Sequence, residues 1–499
     1  MTSLENSFMK SIPFLTMTFY IKLILISLLC FSFIVGFSQE TSNKGNQVFT
    51  AAQLEHDFNI LCSELVNIHP DVYAYISEDS LNAIKINIQK KFKDGLTLEA
   101  FHVLVRQYIR NIHCGHTVAR PSEDWYALQK NDSKLLTFNV FYVNDKVYVK
   151  EYLGVDSALA KGVEILSINQ ITTSKIVADM KAIQERDGFS ESYDNRKVER
   201  YFSTYFLFLY GRKDHYTVLY QHNGNKDSVI IEGGKFKKQK AKTSTIDTSK
   251  FSLGPKSSFA ELKYFSNLNN TALLDINSFD SKGYNKFYKS VFKELKAKSV
   301  NNLIIDLRDN GGGYFPHGNN LLRYLMPQQF NFTFSRDKGK VKKQAYLAMD
   351  FFSKMTKSLF NLIPDKDKND PRRNYVLSYK PRKKNHFDGQ LYVFINGNSF
   401  SLSSYTAAQL SNGSNAIFIG EETGGGKSGS NALLLYNLTL PETKIRINLP
   451  YYHLDHGIKN PLDNRGLMPD YKLEYSIEDL MQGRDIDLEQ VEKLIKKNE

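Results

Sequence analysis

Cysteine is scarce in this chain, with 3 in 499 residues. Cys30 lies inside an N-terminal apolar run, which leaves Cys62 and Cys114 for the folded protein, and two cysteines exclude a disulfide-built scaffold. A single bridge between them and two free buried thiols both fit the sequence. A long membrane-spanning run is also lacking: Leu23–Phe37 is apolar for 15 residues, short of the ~20 that a spanning helix needs. No internal repeat is visible, and no nucleic-acid motif accompanies the net charge of +12, so nucleic acid is excluded as the expected partner.

What is present at the N-terminus is a secretory pattern. Lys10 and Lys22 precede the apolar run and Ser38-Gln39-Glu40 follows it, which predicts a signal peptide over 1–38 and an exported protein, periplasmic or extracellular. Met17 offers a second, tidier start. The bulky neighbours of Cys30 do not make a lipobox, and the segment is compatible with cleavage or with retention as an anchor.

A chain of this length exceeds one core, since domains hold ~100 to 200 residues, so about three domains are expected. Apolar content of 41% with 13% aromatics marks a globular protein. Helical spacing from Ala51 to Arg110 predicts an N-terminal helical domain over 39–130. Short strands from Leu135 to about Ile231 predict a β-rich domain over 134–232. Within it, KGVEILSINQI (Lys161–Ile171) followed by IVADMKAI resembles half of a PDZ domain, a module that takes a peptide as an added strand. The segment Gln184–Gly211 is longer than a minimal domain of that kind requires. A polar, Lys-rich stretch, 233–250, reads as a linker. Alternating strands and helices then predict an α/β core over 251–475 and a helical tail over 476–499.

The charge is uneven. Between Arg336 and Lys384 stand 15 Lys and Arg against 5 Asp. This basic insertion, 336–384, reads as a solvated lid or surface segment, or else as a contact for acidic substrates or a polyanionic cell surface.

The chemistry is concentrated in two strand ends. Asn302–Tyr314 reads NLIIDLRDNGGGY and Leu391–Gly429 runs from LYVFI through NGNSFSLSS to IFIGEETGGGKSG. A strand-to-helix turn with clustered hydroxyls puts a serine at a helix N-terminus, where N–H groups and the dipole favour an oxyanion. The glycine turn lets the backbone approach a ligand and direct its N–H groups at it.

DLRDNGGG, NGNSFSLSS and GEETGGG, in this order, resemble the catalytic core of the S41 serine peptidases, the family of C-terminal processing and tricorn-type proteases. The resemblance covers about Phe251–Tyr471. It implies a multidomain α+β protein with an α/β sandwich core of the ClpP/crotonase-like type, peptide or protein substrates, an acyl-enzyme mechanism and no cofactor or metal.

By the same resemblance Ser401 aligns with the nucleophile, while Ser399 and Ser403 read as turn or capping hydroxyls. A serine needs a base. Processing proteases use a lysine roughly 25 residues on; that position is Gly426, with Lys427 one place further, so Lys427 is the alternative base. Tricorn-type members use a histidine placed before the PDZ-like domain, and CGHT at Cys114–Thr117 matches it, which makes His116 the expected base. A neutral imidazole with pKa near ~6.5 exchanges a proton near neutral pH, whereas a lysine must first lose about 3 pKa units. His113 is its nearest competitor. LDNRGLMPDY (Leu462–Tyr471) resembles the family's C-terminal motif and places Asp463 as the orienting carboxylate, while Gly115 replaces the relay serine of tricorn-type sites. The oxyanion hole is expected from the N–H of Leu402 and that of Gly312, with Asp306, Arg308 and Asn310 bracing the turn. A non-catalytic peptide or lipid binder is the alternative, because retinoid-binding proteins share this core.

Overall fold

The computed structural model describes residues 47–131, 134–154, 158–235, 251–280, 282–339, 341–364, 369–458 and 464–498. The predicted signal segment, most of the 233–250 linker and Asp463 lie outside the described residues.

The catalytic-type motifs sit on a seven-stranded sheet whose order is Phe251–Lys256, Ala260–Phe265, Thr271–Ile276, Asn302–Asp306, Gln390–Ile395, Ile417–Gly420 and Tyr471–Lys472. From Thr271–Ile276 onward the pairing is parallel. The runs NLIID, QLYVFI and IFIG are continuous apolar stretches because these strands are covered on both faces. On one side they join a cluster with helices Tyr284–Ala297 and Leu402–Gly413, and on the other they meet Leu488, Val491 and Ile495 of helix Ile486–Asn498. The register aligns Asp306 with Phe394, and Ile395 with Gly420. Three polar turns, 307–313, 396–401 and 421–427, therefore leave the sheet side by side at the carboxyl ends of parallel strands, where ligand sites of open α/β sheets form.

A second, antiparallel sheet is ordered Leu347–Ala348, Gly429–Thr439, Arg446–Asp455, Phe330–Asp337 and Arg372–Tyr379, with Ala119–Arg120 added beside Arg446–Ile447. The basic segment is accordingly not a bare loop: Arg372–Tyr379 pairs with Phe330–Asp337 over eight residues, and helix Phe351–Asn361 lies between two strands of the sheet.

Helices Ala51–Ile68, Glu78–Gln89 and Leu98–Arg110 are buried through Leu54, Phe58, Leu61, Phe101 and Val105. Their apolar faces belong to the same continuous cluster as the sheets above. Cys62 and Cys114 are both buried and free, so the bridge is not made.

A third sheet is antiparallel, ordered Phe138–Val143, Lys146–Tyr152, Glu164–Ile168, His215–His222 and Asn225–Glu232, with the short Ile171–Thr172 at its side. It has its own core, in which Phe138, Val147, Ile165 and Val218 pack on Val198, Phe202 and Phe206 of helix Glu191–Tyr210. That helix fills the surplus length between Gln184 and Gly211. Among the described residues no helix is long and apolar enough to cross a membrane.

Candidate active site

Ser401 caps helix Leu402–Gly413 with φ 57° and ψ −122°, a conformation that costs a β-carbon residue ~1–3 kcal/mol and concentrates at functional turns. Its side chain makes no capping bond, which leaves the hydroxyl free to face a partner. That partner is His116, whose Nε2 lies 3.0 Å from Ser401 Oγ. Among the described residues no hydrogen bond joins Lys427 to Ser401; the Lys427 backbone carbonyl accepts from His456 Nδ1 at 3.0 Å and its N–H donates to Arg465 O at 2.9 Å.

The neighbouring hydroxyls are engaged elsewhere or buried. Ser399 Oγ donates to Leu307 O at 2.7 Å and accepts from Asn396 N at 3.0 Å. Ser404 Oγ donates to Ser401 O at 2.7 Å, and Ser403 Oγ is buried.

The glycine turn is clamped to the serine turn. Asp309 Oδ1 accepts from Asn396 Nδ2 at 3.1 Å and from Asn398 Nδ2 at 2.9 Å, and Phe400 N donates to Asn310 O at 3.1 Å. Arg308 braces the turn against Asp306, Asp485 and Asp487, which also ties the C-terminal helix to it. A β-carbon on Gly312 would lie 2.7 Å from Ser401 Cβ and 2.8 Å from Leu402 N, so only glycine permits this approach.

One expectation is corrected here. The Gly312 N–H is donated to Asn310 Oδ1 at 2.9 Å, so it is not the free donor that the resemblance implies. The Gly312 carbonyl accepts from Phe279 N at 2.9 Å, and a trans peptide then aims the Gly313 N–H away from Phe279. Neither Gly313 N–H nor Leu402 N–H is used in the backbone bonds of these turns.

His116 comes from a loop, not from a helix or strand. Helix Leu98–Arg110 delivers it, and the loop is zipped to residues 183–189: Gly188 N donates to His113 O at 3.0 Å, His113 Nδ1 meets Gly188 O at 2.6 Å, and Arg106 bonds Ile183 O and Glu185. His113 is thereby turned to a backbone role. The His116 ring stacks on Phe400 at 4.7 Å, Phe400 on Tyr193 at 4.8 Å, and Lys197 Nζ sits 4.8 Å over Tyr193. Gly115 is required by this stack, because a β-carbon there would be 2.6 Å from Phe400 Cζ. Burial, with Lys197 nearby, pushes the His116 imidazole down to about 4; the ring is a neutral acceptor at neutral pH.

Sequence reasoning missed Asp187. Its Oδ1 accepts from Gly115 N at 2.6 Å, while Oδ2 is buried without a hydrogen-bond partner, as is His116 Nδ1. A carboxylate oxygen of Asp187, a ring nitrogen of His116 and Cys114 Sγ all lie within 4.8 Å of one another. Burial outweighs the backbone N–H groups of Gly115 and Gly426 and pushes Asp187 up to about 7. The signal in the sequence was the unexplained length of Gln184–Gly211. These three groups could hold a metal only through a thiolate, whereas burial pushes the Cys114 thiol up to about 12, and His116 already spends Nε2 on Ser401.

The third motif, GEETGGG, closes the site from the other side. Arg196 pairs with Glu421, Ser192 Oγ donates to Glu422 O at 2.8 Å, and Ser190 Oγ to Thr423 O at 3.0 Å. Glu422 in turn holds Arg465 at 2.7 Å and accepts from Gly466 N at 2.9 Å. Asn464 O, next in sequence to Asp463, accepts from Phe189 N at 2.9 Å.

Residues 270–473 match the model of peptidase family S41. None of the curated proteins matches the chain. Among solved structures, mature CPAF complexed with lactacystin superposes with a TM-score of 0.65 at 12% identity, over 89% of this chain and 98% of that one. Mature CPAF gives 0.63 at 13% identity, over 89% and 97%. The photosystem II D1 C-terminal processing protease gives 0.40 at 13% identity, over 87% and 94%.

Proposed function

Starting from a chain that belongs to peptidase family S41 through residues 270–473, and is on that footing a serine-type peptidase acting on peptides or proteins, we propose that it works by a Ser401–His116 acyl-enzyme mechanism. The observation that carries this is the 3.0 Å contact between His116 Nε2 and Ser401 Oγ, within the reach a general base requires.

His116 takes the hydroxyl proton as Ser401 Oγ bonds to the substrate carbonyl carbon. The carbonyl oxygen becomes an oxyanion, held by the N–H of Leu402 and, in place of Gly312, that of Gly313. Such donors act in a water-poor site and each is worth ~10² to 10³ in turnover. Collapse breaks the C–N bond, and His116 returns its proton to the leaving amine. Water, deprotonated by the same imidazole, then hydrolyses the ester and restores Ser401.

Asp187 is the group we assign to orient His116 and balance its charge when it is protonated. The support is that His116 Nδ1 and Asp187 Oδ2 are both buried without a hydrogen-bond partner, and that a ring nitrogen of the one lies within 4.8 Å of a carboxylate oxygen of the other. Asp463 remains the second candidate for this role. The apolar run Leu23–Phe37 with its flanking lysines supports export, and the antiparallel sheet over 138–232 supports selection of extended peptides at a strand edge.

The test is mass-spectrometric mapping of the purified protein after reaction with a fluorophosphonate. One adduct, on Ser401, is expected. An adduct on Ser399, Ser403 or Ser404 instead, or no adduct, rejects the mechanism.

A further inference from the structure

Helix Phe351–Asn361 is built inside out. Phe351, Phe352, Met355, Leu359 and the following Leu362 are 73%, 71%, 47%, 56% and 78% exposed. At ~100° per residue these five positions fall within about 100° of arc, one continuous apolar stripe turned to solvent. The side turned to the protein is mostly polar: Ser353, Thr356 and Lys357 are half-buried there, and Phe360 is the helix's one buried apolar side chain. Lys357 is held by Tyr436 OH at 2.7 Å and lies 4.4 Å over the Tyr451 ring. Phe360 anchors the helix by packing on Phe334 and Tyr452.

A water-facing stripe of two phenylalanines, two leucines and a methionine is unfavourable unless something covers it, since apolar surface is driven out of water. The charge around it selects the cover. The helix carries one exposed cation, Lys354, besides Lys357 on its protein side, and no acid apart from its N-cap Asp350. Arg373 bonds Asn361 O at 2.8 Å and Ile363 O at 2.6 Å, and Arg336 reaches Asn361 Oδ1 at 3.4 Å, so two further cations stand at its C-terminal end. The whole segment 336–384 holds 15 Lys and Arg against 5 Asp. A second copy docked by this face would bring two such basic segments together, which opposes self-association. An apolar stripe with a basic collar matches a negatively charged lipid surface, into which such helices sink their Phe and Leu side chains while Lys and Arg meet the headgroups.

We infer that helix Phe351–Asn361 is a membrane-surface contact, docking the enzyme on an anionic lipid bilayer through Phe351, Phe352, Met355, Leu359 and Leu362. The contact lies in the plane of the interface and does not span the membrane. It is independent of the N-terminal apolar run and of the peptidase chemistry.

The experiment uses the full chain carrying Phe352→Trp, a reporter placed on the stripe itself; the one native tryptophan, Trp125, is buried. Its emission is followed as phosphatidylcholine vesicles are added, with and without phosphatidylglycerol, and peptide hydrolysis in solution is checked to be at the wild-type level. The expected result is a blue shift with the anionic vesicles alone, weakening as salt rises. Lys354→Gln should weaken it about fivefold and Leu359→Ser about tenfold or more. No shift, or an equal shift with neutral vesicles, overturns the inference. A shift that follows protein concentration without lipid also overturns it, and shows that a second copy covers the stripe.

Discussion

His116 Nε2 and Ser401 Oγ stand 3.0 Å apart although 285 residues separate them in the chain. No shared element holds them. The contact depends on Phe400, whose ring lies under the imidazole and whose backbone N–H is tied to Asn310 O. In the proposed mechanism the base is thus positioned by the residue that precedes the nucleophile, and the glycine turn, the serine turn and the histidine loop are coupled through one aromatic ring.

Asp187 makes the pH dependence diagnostic. His116, pushed down to about 4, is already neutral above that pH, while Asp187, pushed up to about 7, is protonated below it. The competent pair is neutral imidazole beside carboxylate, so kcat/KM should rise with pH through about 7. Asp187→Asn should lower kcat by about 10²-fold or more and abolish that limb, with Asp187→Glu partly restoring both. The folded-state value lies above the unfolded one, so this group's contribution to stability is present at acid pH and is lost as pH rises toward 7. Asp187→Asn should flatten that slope in denaturant titrations at several pH values. An unchanged limb in the Asn variant would reduce Asp187 to a structural residue.

By the resemblance, Gly115 stands where tricorn-type sites carry a relay serine, and this structure leaves no room for a side chain there. A β-carbon there would be 2.6 Å from Phe400 Cζ and 3.2 Å from Asp187 Oδ1. Gly115→Ser should therefore lower kcat by about tenfold or more by tilting the Phe400–His116 stack. A gain in activity would show that a serine relay is compatible with this site.

Ser399 and Ser401 should separate cleanly. Ser399→Ala removes two buried hydrogen bonds and should cost about 1–3 kcal/mol in unfolding free energy, with the remaining folded protein still active. Ser401→Ala should leave stability unchanged or improved, because the strained turn loses no bond on which the fold relies, and should abolish turnover. The paired measurements are chemical denaturation and peptide hydrolysis on both variants.

Glu185 joins two cations, Arg106 at 2.9 Å and Lys197 at 2.9 Å, in a buried site. The Lys197 ammonium and the Arg106 guanidinium overcome burial and hold its carboxyl down to about 2. Its contribution is present above the unfolded carboxylate pKa and lost as pH falls toward 2. Glu185→Gln strands two buried charges and should destabilise the protein by about 3–5 kcal/mol, measured by urea unfolding at neutral pH.

Much of this was readable in the sequence where the chemistry is local. DLRDNGGG, NGNSFSLSS and the strands before them are contiguous, and continuous apolar runs announce strands covered on both faces. His116 was readable only through the resemblance, since a CGHT tetrapeptide has no periodicity. Asp187, in ERDGF, carries no signal of its own in the sequence, because its role depends on a loop brought over from another segment. The Gly312 assignment failed for a similar reason: a glycine motif does not say which N–H a neighbouring asparagine side chain will occupy. The surplus charge of 336–384 was visible in composition, but the strand Arg372–Tyr379 and the outward apolar stripe of Phe351–Asn361 were not. An amphipathic pattern does not say which face is turned to water.

The most direct test of the account is the rate of fluorophosphonate labelling of Ser401 in the wild type, His116→Ala and Lys427→Ala proteins. The His116–Ser401 geometry predicts a loss of about 10³-fold with His116→Ala and a wild-type rate with Lys427→Ala. Loss with Lys427→Ala and retention with His116→Ala would contradict it and assign the base to the lysine.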